Sequence, residues 1–180
     1  MRQMEGFRVA ITGTPATGKT SVAQQFAENT ILTVRDLANE HGCVDNSESS
    51  NNLTIIDVNR LSALLKNLWP NSPDSNVFIE GHLSHHLPVD AIVILRCRPT
   101  VLETRMSSRG WSDEKIRDNF EWELMGGPWS EMSDQKLPTI EIDSTIAGPN
   151  QIADEIRGWI DSGFKPTNQN RIDWMIEQHN

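Results

Sequence analysis

The run Gly13-Thr14-Pro15-Ala16-Thr17-Gly18-Lys19-Thr20 has the residue types and spacing of a phosphate-binding loop. It stands where an apolar segment, Phe7 to Thr12, gives way to a helical pattern. Each residue type answers a chemical need. Glycines let successive backbone amides converge on phosphate oxygens, Lys19 brings a mobile positive charge, and the Thr20 hydroxyl can coordinate magnesium. A helix after Thr20 adds the positive end of its dipole. Gly, Thr and Ala are common residues, so the string alone is a loose match; the strand, loop, helix order around it makes a nucleoside triphosphate the expected ligand.

Two more groups of residues suit phosphate chemistry. Arg105 and Arg109 are four apart on one expected helix, just before Gly110, and so project from one face. Phosphoryl transfer needs positive charge over the moving group's oxygens, which two arginines on a closable segment provide. The competing reading is a solvated charged face with Glu103 and Asp113 as surface partners. The phosphate loop favours the catalytic role. Glu80 and His82 follow an apolar run, and His82 could orient an attacking water or couple nucleotide state to a partner.

These residues need elements to position them. Phe7–Thr12, Ile31–Thr33, Val77–Glu80, Ala91–Leu95 and Thr139–Asp143 read as five short buried strands. Helical stripes alternate with them: Val22, Ala23, Phe26 and Ala27; Leu61, Leu64, Leu65 and Leu68; Ile116, Phe120 and Leu124; Ile152, Ile156 and Ile160. Thr33 and Asp57 are expected N-caps, Gly42 a stop, and Pro99 the opening of a helix through Ser108. Residues 43 to 52 are polar and read as a flexible excursion, and the tail from Lys165 to Asn180 carries only Ile172, Trp174, Met175 and Ile176 as apolar anchors. Alternation of this kind predicts an α/β fold: a five-stranded parallel sheet with helices on both faces and its ligand beyond the carboxyl ends of the strands. The loop from Gly13, Glu80 with His82, Arg96, and Ser144 with Thr145 all follow strands.

Composition narrows the function classes. A length of 180 residues with 37% apolar content suits one buried core, and a single domain over 1–180 is expected. Cys43 and Cys97 are far apart and lack metal-ligand spacing, which favours a reducing, cytoplasmic setting. Neither a leader pattern nor an apolar run of about 18 residues is expected to take the chain to a membrane. The formal charge of −9 opposes direct nucleic-acid binding and suits a basic protein partner.

The segments GTPATGKT, VRDLANEHG, TIIDVNRL, IEGHL, AIVILRCRPTVLETRMSSRGW and the run Asn119-Phe120-Glu121-Trp122-Glu123 together resemble the adenylate kinase isoenzyme 6 type family. These are small P-loop nucleoside monophosphate kinases linked to small ribosomal subunit maturation. The match runs over residues 7 to 163, and the Arg-x-x-x-Arg-Gly-aromatic block followed by Asn-x-x-x-Glu is its most selective part. The resemblance implies phosphate transfer from ATP, with Mg2+, to AMP or another nucleoside monophosphate, together with ATPase activity. It also implies a partner, a small-subunit ribosomal protein of the S-eleven family. Carried over by motif, Gly13, Ala16, Gly18, Lys19, Thr20 and Ser21 would hold the triphosphate. Residues 33–57 would bind the monophosphate, with Asp36 and Asp57 at matching positions, and a lid would span 108–118. Arg109 matches a nucleotide-binding arginine, Thr145 falls near the family's base-contacting loop, and Glu80 with His82 match an acidic residue and histidine, Glu80 at the magnesium.

The chain departs from the family in two places. Glu80 stands where Asp is usual, which lengthens the reach to magnesium by one methylene, and Asn39 stands where many relatives carry an arginine for the acceptor phosphate. Arg35, one turn earlier, is the expected substitute, with Arg96 as a second. Weak acceptor binding with dominant ATP hydrolysis is the alternative outcome, which would make the chain an ATPase assembly factor; a small-metabolite kinase is a third reading. His82, His85 and His86 lack nearby Cys and helical i, i+4 spacing, so a polar loop is expected there rather than a transition-metal site. Trp111, beside the two arginines, is the tryptophan expected nearest the nucleotide.

Overall fold

Val9, Ala10 and Ile11 send side chains alternately to opposite faces of a strand, and all three are fully buried. Such a strand needs cover on both sides, and the rest of the chain supplies it. In this computed structural model, which describes residues 6–45, 55–132, 136–167 and 171–177, the elements follow in order. The first half comprises β1 (Arg8–Gly13), α1 (Lys19–Ala23), β2 (Thr30–Thr33), α2 (Val34–Glu40), β3 (Val44–Asp45), β4 (Ile55–Ile56), α3 (Val58–Leu68) and β5 (Val77–Glu80). The second comprises β6 (Ala91–Arg96), α4 (Pro99–Ser107), α5 (Asp113–Leu124), α6 (Gly127–Glu131), β7 (Thr139–Asp143), α7 (Pro149–Asp161) and α8 (Trp174–Glu177).

Five strands form one parallel sheet in the order β2-β5-β1-β6-β7. The expected α/β P-loop fold is therefore observed. On one face Val9, Ile11, Val93 and Leu95 pack with Phe26 and with Ile152, Ile156 and Trp159 of α7. On the other, Ala10, Ile79, Ile92 and Ile94 meet Leu37 and Ala38 of α2 and Leu61 and Leu65 of α3. The two expected caps form: Thr33 Oγ1 accepts from the Asp36 amide at 3.0 Å and Asp57 Oδ1 from the Arg60 amide at 2.9 Å.

Some expectations shift. The helix after the phosphate loop is a five-residue α segment followed by a 3-10 turn, Gln24–Phe26, and Ala27 lies outside it and is exposed. Part of the polar excursion is ordered by pairing, because Val44–Asp45 and Ile55–Ile56 form an antiparallel ladder over buried Cys43. Residues 46–52 of that excursion, and 168–170 and 178–180 of the tail, lie outside the described residues. Within the tail, Trp174 is 1% exposed and thus docked in the core.

Two backbone positions shape the strand ends. Gly13 has φ +138°, and a Cβ there would stand 2.2 Å from the Leu95 carbonyl oxygen. Gly81, between Glu80 and His82, has φ +147°, and a Cβ there would stand 2.7 Å from Val34 Cγ2. The Gly81→Ala variant should lose about 1–3 kcal/mol of stability from backbone strain and this contact, read as a lowered midpoint in chemical denaturation.

Candidate functional site

The carboxyl ends of β1, β5 and β6 deliver the loop from Gly13, the Glu80–His82 turn and Arg96 to one edge of the sheet. Between β1 and α1 the loop closes on itself: the Thr17 amide and hydroxyl donate to the Thr14 carbonyl at 3.3 and 2.9 Å. Ala16 adopts φ +70°, a left-handed conformation that costs a non-glycine residue about 1–2 kcal/mol. Lys19 Nζ donates to the Gly13 and Thr14 carbonyls, both at 2.9 Å. Burial lowers its pKa to about 8, a shift that Glu80 and Glu123 oppose and Arg109 reinforces. A polyphosphate beside Nζ would raise it again by favouring the ammonium form.

Thr20 Oγ1 donates to Glu80 Oε1 at 3.2 Å. Neighbouring oxygens around an octahedral magnesium stand about 3 Å apart, given Mg–O distances of about 2.0–2.1 Å. A hydroxyl and a carboxylate at this separation therefore fit magnesium, despite the longer reach of Glu80.

Among the described residues, hollows open at the loop and beside Glu80. A recess of about 230 Å³ is bounded by Ala16, Gly18, Ser21, Arg105, Arg109 and Ser144. Arg105 spans it, donating to the Ser144 and Thr145 carbonyls at 3.0 and 3.2 Å and to Ala16 at 3.4 Å. Arg105 thus ties the phosphate loop to the loop after β7. Thr145 is tied down as well, its Oγ1 accepting from the Arg98 amide at 2.9 Å. A second recess, about 470 Å³, is bounded by Thr33, Arg35, Asp36, Ile56, Glu80 and His82. Asp36 Oδ2 accepts from Thr33 Oγ1 at 2.7 Å there, whereas Asp57 stands beyond this lining as the α3 cap. A cleft of about 610 Å³ joins Gly13, Pro15 and His82 to Trp111, Lys115 and Trp122 of the α4–α5 region. Lys115 Nζ lies 3.9 Å from the Trp111 ring centre. Partial burial and then Lys19 push the His82 imidazole below its ordinary pKa, although the residue keeps an open edge to solvent.

Arg96 requires a correction. It was expected at the acceptor phosphate, yet it is 0% exposed and its guanidinium is spent internally. Nε and Nη2 donate to Glu123 Oε1 (2.7 Å) and its carbonyl (2.8 Å); Nη1 donates to Glu141 Oε1 (2.6 Å) and the Ile172 carbonyl (3.2 Å). Glu123, also 0% exposed, was missed by sequence reasoning. Its Oε1 further accepts from the Cys97 amide at 3.0 Å and Trp174 Nε1 at 2.9 Å, and its Oε2 accepts a very short bond from Thr14 Oγ1. The one signal available was its place in the Asn119–Glu123 run, where a carboxylate borders the apolar stripe. Lys115 was also missed, since helical charges read by default as a solvated face.

The family model described as AAA domain matches residues 9–126. A curated protein named "Putative adenylate kinase" from Pyrococcus abyssi is 38% identical over 160 residues, covering 87% of this chain and 86% of that one. One of the same name from Archaeoglobus fulgidus is 34% identical over 177 residues, covering 94% and 92%. Among solved structures, a shikimate kinase from Acinetobacter baumannii in complex with shikimate has a TM-score of 0.59 at 15% identity, over 88% of this chain and 94% of that one. A gluconokinase from Sinorhizobium meliloti 1021 has a TM-score of 0.56 at 18% identity, over 92% and 100%. At such identities the solved structures speak for the fold alone.

Two consequences can be measured. The folded state disfavours charged Lys19, a penalty present below its folded pKa and relieved as pH climbs toward the unfolded value. Relative to Lys19→Met, the nucleotide-free protein should therefore gain stability as pH rises from 8 toward about 10, measured by denaturant titration across that range. Removing the Glu123 carboxylate leaves Arg96 a buried charge short of its main partner, so Glu123→Ala should cost about 3 kcal/mol or more in the same assay.

Proposed function

The chain belongs to the AAA domain family and to the small P-loop kinases represented by these archaeal relatives, and from that membership we propose that it transfers the terminal phosphate of ATP to a nucleoside monophosphate, AMP first. The observation that carries this reading is a pair of recesses, one lined by the phosphate loop and one by Glu80. One, with Ala16, Gly18, Ser21, Arg105 and Arg109, suits the donor; the other, with Arg35, Asp36, Glu80 and His82, suits the acceptor. A reaction between two nucleotides needs both, and a shared cleft where their phosphates meet.

In this reading the loop amides and Lys19 hold the donor's phosphates, and Arg109 faces the same recess with its charge. Arg105 acts by holding the loop against the Ser144–Thr145 segment, which lies where the donor's base would rest. Arg35 and Asp36 orient the acceptor, in place of an arginine at Asn39, while Asp57 sets α3 at the recess edge. Thr20 and Glu80 would hold magnesium, whose charge offsets that building on the transferred phosphate. Trp111 and Trp122 wall the cleft against water. The finer proposals are membership of the isoenzyme 6 type and one domain over 1–180, with 33–57 and 108–118 as its acceptor and lid sections.

A second reading rests on His82, whose depressed pKa keeps it neutral and able to orient a water for ATP hydrolysis. Joined to the −9 charge, it supports an ATPase that meets a basic ribosomal protein of the S-eleven family and serves small-subunit maturation. Buried free Cys43 and Cys97 suit work in the cytoplasm.

ADP formation from ATP and magnesium should rise at least about tenfold when AMP is added, a lowering of the barrier by about 1.4 kcal/mol. Lys19→Ala should abolish it. Hydrolysis that responds to the ribosomal protein and ignores AMP would replace the first reading with the second.

A further inference from the structure

His85 and His86 stand in a 3-10 turn after β5, and Glu131 comes to them from α6, 46 positions beyond His85. Each offers one ligand atom, and these atoms all lie within 4.8 Å of one another. Glu131 Oε2 is 2.9 Å from His85 Nε2 and 3.4 Å from His86 Nε2. Around a tetrahedral zinc, with bonds of about 2.0–2.2 Å, neighbouring ligand atoms stand about 3.4 Å apart. The Glu131–His86 edge already has this length, the Glu131–His85 edge needs to open by about half an ångström, and the edge between the two imidazoles is no longer than 4.8 Å.

The hydrogen bonds around His85 point the same way. The hydroxyl of Thr12 has one proton, and it goes to the His82 carbonyl at 3.0 Å. When that proton lies on the His82 side, His85 Nδ1, 2.8 Å from the same hydroxyl oxygen, is the donor. This tautomer leaves a lone pair on His85 Nε2, aimed at a carboxylate oxygen that also only accepts. With Nδ1 as the donor, a proton or a metal cation belongs between them, and the second imidazole converging on the same oxygen favours the metal. The bond from Nδ1 to Thr12 is also the outer contact by which a ligating histidine is oriented.

We propose that His85, His86 and Glu131 form a site for a borderline divalent cation of the zinc, cobalt or nickel class, which joins the turn after β5 to α6. Two imidazoles and one carboxylate select this class over magnesium, which asks for oxygen ligands. Glu131 also borders the large cleft, so the ion clamps the edge of that cleft from outside the recesses assigned to nucleotides. The sequence hid this site because its carboxylate is remote in the chain. The site does not depend on the kinase reading.

The test uses the full chain without an affinity tag and without nucleotide, titrated calorimetrically with Zn2+ alone and followed by visible spectroscopy with Co2+. His86 and Glu131 side chains are 26% and 35% exposed, so His86→Gln and Glu131→Gln should fold, as circular dichroism would check. The wild-type protein should bind one ion, give the intense bands of four-coordinate cobalt, and melt at a higher temperature with Zn2+. Each variant should lose at least about tenfold in affinity and the zinc-dependent rise in melting temperature. No binding by the wild type, or unchanged binding in either folded variant, would overturn the proposal and leave a proton-bridged cluster.

Discussion

The Arg96–Glu123 ion pair is the constraint on which the rest of the structure leans. Two opposite charges with no solvent exposure cost several kcal/mol each to desolvate, and their mutual attraction offsets this only if the remaining donors and lone pairs are also satisfied. Here they are satisfied from five directions. Glu141 of β7, the Ile172 carbonyl, the Cys97 amide, Trp174 of the tail and Thr14 of the phosphate loop all bond to one member of the pair. The requirement to bury this pair therefore fixes β6, α5, β7 and the C-terminal segment relative to Thr14 of the phosphate loop.

Beside this neutralised core, the loop itself is left in electrostatic tension. Lys19 is buried between carbonyls and near two carboxylates, and its charge is worth less there than in water. A site of this kind binds an anion with more than simple attraction, because the anion also relieves the cost of keeping the ammonium out of solvent. Arg105 is different: with carbonyl partners on two loops it is already anchored, so its charge arrives aligned and loses little freedom when ligand binds.

Much of the architecture was legible because its signals are local. Apolar runs such as Ala91–Leu95 can only be buried strands in this context, the phosphate loop carries its own spacing, and Thr33 and Asp57 cap the helices their positions announced. What could not be read depends on partners distant in sequence. Arg96 looked like a ligand because it follows a strand, but Glu123, 27 positions later, and Glu141 claim it. Glu123 sits in a helix whose apolar stripe was read correctly at Ile116, yet it is more buried than Phe120 or Leu124, which only its bonding to four other residues allows. The β3–β4 ladder, two residues long on each side, has too few positions for any alternation to show. The tail's few apolar residues left its docking open, and the buried indole of Trp174 shows where it docks.

The docking of Glu123 also sets the mechanics of α5. The helix is rooted near its C-terminal end by bonds that a translation would break, while Lys115 near its other end borders the cleft. A motion of such a helix is that of a lever rather than of a piston. From Glu123 back to Asp113 it extends about 15 Å at 1.5 Å per residue. A rotation of about 20° at the root would therefore sweep the Asp113 end through about 5 Å, carrying or breaking the packing of Ile116 on Leu102 and Met106 of α4, while the fulcrum, and with it Thr14, stays in place.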